Sequence, residues 1–184
     1  MDTLGKIGEM VRTVLPDWAV DMGFGLHVGW AVEGAIGTEH KVDASYLSPH
    51  VNMASRLEAA TKQYGVKLLI SGEFHAMLSD ATRNRCRLLD HVTVKGSSQP
   101  VRLYTYDYPS AVPADLDYDL YKRQFEDALT KIEKGQWEHA RRLLEWCEER
   151  WPDDEPRKVL HAFIERDGFT APAGWPGYRP LTEK

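Results

Sequence analysis

PHVNMASRLEAATKQY, residues 49–64, is the stretch from which the rest of the fold is read. Pro49 fits the first turn of a helix, where its missing N–H costs nothing. Val51, Ala54, Leu57 and Ala60, or Met53, Leu57 and Tyr64, give an apolar stripe at helical spacing. Gly65 follows as the C-cap. Asn52 and Arg56 are four residues apart, so they share a helix face. Asn52 sits near the helix start, where backbone N–H groups and the dipole favour anions. One turn on, a planar guanidinium could clamp phosphate oxygens through several donors. The plain alternatives are a cap for Asn52 and a surface charge for Arg56.

Outward from that helix the pattern alternates between helix and strand. Residues 2–15 read as a helix stopped by Pro16. In 22–37, Leu26, Val28 and Trp30 alternate with His27 and Gly29 as in a strand, and Ala31–Ile36 reads as a second one. Its glycines at 23, 25, 29 and 34 imply tight packing or bulges, or, more sharply, a backbone lying against a ligand. His27 is read as a structural histidine and His50 as a help to the helix start. VKLLIS (66–71) is a strand and GEFHAML (72–78) a short helix. CRLLDHVTVK (86–95) and VRLYTYD (101–107) are strands joined by a turn. Lys95 stands at the end of the first of these, where a turn cation is the plain reading. The order α-β-β-α-β-α-β-β is a mixed α+β pattern.

Composition changes at Pro109. PSAVPAD (109–115) lacks periodicity and reads as part of a linker over 109–116. Beyond it, Tyr121, Phe125, Leu129 and Ile132 line one helix, and Trp137, Ala140, Leu144 and Cys147 the next. A third short helix ends at Gly168. The remainder, FTAPAGWPGYRPLTEK, reads as an extended strap whose aromatics pack on something. The division expected is 1–108, linker 109–116, and a helical tail over 117–184.

Composition excludes several classes of function. The 184 residues carry 23 Lys and Arg against 28 Asp and Glu, a net charge of −5 with no basic run, which suits no nucleic-acid partner. No stretch approaches the ~20 apolar residues of a membrane span, and the N-terminus lacks the form of a signal peptide. Two cysteines 61 positions apart make no disulfide framework and no zinc pattern. A reducing, cytoplasmic compartment is the expectation. No His, Asp and Glu cluster has metal-ligand spacing, so no metal ligand is assigned.

The order of these pieces is recognisable. GLHVGWAVEGAIG (25–37), SYLSPHVNMASRLEAAT (45–61), VKLLISGEFHAML (66–78), VTVKG (92–96) and VRLYTYD (101–107) resemble the C-terminal half of a class III nucleotidyl cyclase catalytic domain. The resemblance covers residues 3–107, and its V-N-x-A-S-R run is the specific part. The tail, with Gly135, Trp137 and Ala140 in a G-x-W-x-x-A run, is similar to the helical extension of some protist multidomain cyclases and has a tetratricopeptide-like flavour. The resemblance implies a partial ferredoxin-like α+β domain followed by a small helical tail.

It also implies roles. Asn52 would orient the substrate ribose, Arg56 would stabilise charge on the phosphate under attack, and Lys95 would hold the terminal phosphates. The position that reads the purine aligns with Ser45, with Asp43 a second candidate two residues away. The substrate is then ATP, with GTP the alternative, and the product cyclic AMP before cyclic GMP. The family's two metal-binding aspartates belong to the domain's first half, which is expected to be missing, as is its purine-reading Lys. Magnesium or manganese would therefore be held by that half or by a partner chain. The family's K-G-K run has Ser97 at its second Lys. Two functions follow: one side of a dimeric cyclase site shared with another cyclase domain, or an inactive cyclase-like scaffold or regulatory subunit.

Overall fold

The computed structural model describes residues 22–38, 41–94 and 99–181. The helix expected over 2–15, Lys95 and Ser97 lie outside the described residues. The strands are β1 (Phe24–Leu26), β2 (Val32–Thr38), β3 (Lys41–Leu47), β4 (Leu68–Ser71), β5 (Cys86–Thr93), β6 (Val101–Tyr106) and β7 (Arg179–Pro180). The helices are α1 (Pro49–Tyr64), α2 (Gly72–Ala76), α3 (Asp80–Arg83), α4 (Tyr118–Glu133), α5 (Trp137–Glu148) and α6 (Glu155–Glu165).

Helix α1 has the expected bounds, and its ends explain them. Ser48 is extended at φ −170°, and its Oγ accepts from the His50 N–H. Gly65, at φ +63°, ends the helix in the left-handed region, where its N–H bonds Thr61 O. A side chain there would also collide with Glu155 at 2.6 Å. The buried stripe is Leu57, Ala60, Thr61 and Tyr64, whereas Val51 is exposed. The stripe therefore lies further along the helix than Val51 and Ala54 suggest.

Five strands form a mixed sheet in the order β1-β4-β6-β5-β7. β1 runs parallel to β4 and β7 parallel to β5, while β6 is antiparallel to both its neighbours. Val101, Leu103 and Thr105 of β6 are buried on the core face. The opposite face is partly covered by α2, where His75 stacks on Tyr104 with ring centroids 3.7 Å apart.

Two differences from the sequence reading concern the glycine-rich stretch. β1 ends at Leu26, so Val28 and Trp30 do not continue a strand. β3, not foreseen, pairs antiparallel with β2 in a separate two-stranded sheet. Nearly every residue of this hairpin is exposed on both faces. Gly23, Gly25 and Gly29 lie tight against helix α1, whereas Gly34 faces open space. A Cβ at Gly25 would lie 2.2 Å from Ala54 O, so α1 sits directly on β1.

The tail is part of the same core. Tyr121, Phe125, Leu129 and Ile132 of α4 are buried, as are Trp137, Ala140, Leu144 and Cys147 of α5. They form one hydrophobic cluster with Leu57, Tyr64, Leu89 and Leu103. The strap returns to the sheet as expected of its aromatics. Trp137 and Trp175 both donate indole N–H bonds to Ile132 O, at 3.1 and 2.8 Å. Leu181 N then donates to Thr93 O at 2.8 Å beyond β7.

Buried charge locks the tail in place. Arg87 of β5, 1% exposed, donates to Asp107 at 2.7 Å and to both carboxylate oxygens of Asp154, each at 2.8 Å. Tyr118 and Tyr121 of α4 donate to Asp107 and Asp154. Burial disfavours the Arg87 charge, but Asp154 and Asp107 outweigh it and hold the guanidinium protonated. A second lock joins the strap to α1. Tyr64 donates to Asp90 at 2.7 Å, and Arg179 donates to Asp90 at 2.6 Å and to the Tyr64 oxygen at 3.0 Å.

Candidate functional site

The first turns of α1 form one wall of an open cleft of about 440 Å³. Asn52 and Arg56 both line it, as their four-residue spacing requires. His27, just past β1, Glu73 of α2 and the Gln99–Val101 stretch complete the walls. Arg56 is half-buried and has no ion-pair partner among the described residues. A guanidinium held in a cleft with its donors unspent is a natural anion site.

The cleft also contains a polar chain that sequence reasoning missed as a unit. His27 Nδ1 lies 2.8 Å from Ser71 Oγ, and His27 Nε2 lies 2.8 Å from His50 Nδ1. The two rings stack at 5.1 Å. The Glu73 carboxylate is 3.8 Å from His27 Nδ1. Burial lowers the His27 pKa below its ordinary value; His50 adds to this and Glu73 opposes it. Twenty-three residues separate the two histidines, and only the packing of α1 on β1 joins them. The one local signal is Gly29. A Cβ there would lie 2.0 Å from the His50 ring, so only glycine leaves the imidazole its place.

Other sequence-predicted residues lie elsewhere. Ser45 and Asp43 are on β3, on the hairpin face shared with Gly34 and Ile36, and neither lines the cleft. Asp43 pairs with Lys41 at 3.0 Å. Among the described residues, no group of three or more His, Cys, Asp or Glu side chains is arranged to hold a metal ion. No helix among them is long and apolar enough to cross a membrane.

Residues 6–107 match the family model of the adenylate and guanylate cyclase catalytic domain. An adenylate cyclase of Anabaena cylindrica is 36% identical over 94 residues, half of this chain and 18% of that protein. The terminal-differentiation-specific adenylate cyclase of Dictyostelium discoideum is 28% identical over 154 residues. That alignment covers 80% of this chain and 7% of the relative, and is long enough to run from the matched segment into the tail. Adenylate cyclase 1 of Rhizobium meliloti is 36% identical over 81 residues, 44% of this chain and 12% of its own. The chain thus spans less than a fifth of each of these relatives. With α1 presenting Asn52 and Arg56 to an open cleft and the family match running across β1 to β6, this chain belongs to the class III adenylate and guanylate cyclase catalytic domain family.

Proposed function

We propose that this chain supplies one side of a shared nucleotidyl cyclase active site, forming cyclic AMP from ATP. The single observation that carries this is Arg56, unpaired among the described residues and lining the cleft with Asn52. The adenylate cyclase names of the relatives favour ATP over GTP.

In this reading Asn52 orients the ribose through its amide. Arg56, one turn along, holds the oxygens of the α-phosphate. The ribose 3′-oxygen bonds to the α-phosphorus, the bond to the leaving pyrophosphate breaks, and the hydroxyl proton is released. Because the reactants are one molecule, the chain's contribution is positioning and charge stabilisation. Lys95 is assigned to the terminal phosphates and Ser45, with Asp43 second, to the purine. Magnesium or manganese is assigned to a complementary cyclase domain, and no step is derived through it.

The β2–β3 hairpin supports assembly with such a domain. Trp30, Val32, Val42, Tyr46 and Leu47 are 56–65% exposed. A paired hairpin with apolar side chains on both faces is a surface suited to a partner. Residues 1–108 are read as the cyclase part, 109–116 as a linker, and 117–184 as a tetratricopeptide-like tail, supported by Gly135 at φ +72° between two packed helices.

The test combines the chain with a cyclase domain that keeps its metal aspartates but lacks its own Asn and Arg. Cyclic AMP formed by wild type and lost with Arg56→Ala supports the reading. Equal product from both rejects it. No product, with association shown separately, points instead to a cyclase-shaped scaffold.

A further inference from the structure

We propose that His50 is a substrate-binding residue of the cleft, offering its outer ring nitrogen to an anionic oxygen of the bound triphosphate, with His27 as its positioning residue. The proposal rests on the cleft being the cyclase half-site described above.

The direction of the hydrogen bonds follows from counting protons. Ser71 Oγ accepts from the Phe74 N–H as the cap of α2, at 3.3 Å. Its own proton remains to be donated, and His27 Nδ1 lies 2.8 Å away. A neutral imidazole carries one N–H. If Nδ1 accepts, His27 Nε2 holds the proton and donates it to His50 Nδ1. His50 Nε2 then carries the remaining N–H. That nitrogen has no partner among the described residues, and His50 lines the cleft beside Asn52.

The ring of His50 is held on several sides. Ser48 Oγ binds its backbone N–H at 3.0 Å. Gly29 leaves room for the ring, and Trp30 meets it edge-on at 5.9 Å. A donor oriented this firmly loses little freedom on binding an anion. The charged groups around the pair are Glu73, 3.8 Å from His27, and Arg56 across the cleft lining.

The test uses the full chain, labelled with nitrogen-15 and assembled with an unlabelled cyclase domain that keeps its metal aspartates. Imidazole resonances are followed during titration with magnesium pyrophosphate and with a non-hydrolysable ATP analogue. Both histidines are expected to show the Nε2–H tautomer, with His50 Nε2 moving on binding. His50→Phe and His27→Phe should each weaken binding about tenfold, the scale of one charge-assisted hydrogen bond. His50→Gln, which keeps an N–H donor, should recover most of that loss. Should His50→Phe fail to fold, the wild-type titration and His50→Gln still decide. An unmoved His50 Nε2, or wild-type affinity in His50→Phe while Arg56→Ala loses binding, overturns this inference and leaves the half-site standing. Failure of the wild type to bind either probe overturns both.

Discussion

The tail lock and the cleft contain the same kinds of side chain in opposite states. In the lock, Arg87 is answered by Asp107 and Asp154, and Arg179 by Asp90 and Tyr64. Every carboxylate there also takes a tyrosine hydroxyl. In the cleft, among the described residues, Arg56 has no ion-pair partner and the His27–His50 chain ends on a nitrogen without one. Buried charges must be paired, because desolvation otherwise outweighs what they gain. Half-exposed charges left unspent cost little stability and remain free to bind. The lock therefore serves the fold, and the cleft keeps its side chains free for the ligand proposed above.

Substitutions should separate the two regions by kind of loss. Arg87→Ala leaves the buried Asp154 and the part-buried Asp107 without their cation, and should cost about 3–5 kcal/mol. Denaturant unfolding measures it, and a loss below 1 kcal/mol would mean the lock is not closed in solution. Tyr64→Phe removes a hydroxyl that both donates to Asp90 and accepts from Arg179, yet leaves those two paired. About 1–2 kcal/mol is expected by the same measurement. Arg56→Ala should change stability by no more than about 0.5 kcal/mol, as for an unpaired surface group. A large drop would move Arg56 from the cleft's account to the fold's.

The smallest effect is that of pH. The His27 pKa is lowered in the folded chain, so the unfolded chain binds more protons as pH falls through the ordinary histidine range. Stability is then full above about pH 6.5 and declines on acidification through that range. His27→Asn should flatten this decline in thermal unfolding recorded between pH 7 and 5. An unchanged slope would remove His27 from its cause.

Much of this contrast was legible in the sequence, but unevenly. Helix α1 announced itself because Pro49 and Gly65 bracket it and its face repeats locally. The tail helices were equally plain, since Tyr121, Phe125, Leu129 and Ile132 follow one period. Strand β3 was missed because both faces of its hairpin are exposed. Without a buried side, KVDASYL carries no alternation to read. The locks were hidden for a different reason. Arg87 and Asp90 interrupt the apolar strand CRLLDHV, which hints at buried polar groups. Their partners Asp154 and Arg179 lie 67 and 89 residues away, a pairing no local pattern encodes. The histidine pair shows both cases at once: His50 and Gly29 were visible singly, and only tertiary packing made them one device.

The most direct measurement is product formation in the complemented assembly, with ATP or GTP and manganese supplied. The account predicts cyclic AMP as the main product. Arg56→Ala should reduce it about 100- to 1,000-fold, the scale for losing one positioned charge-stabilising donor, with association and stability unchanged. Undiminished cyclic nucleotide from Arg56→Ala would contradict the account.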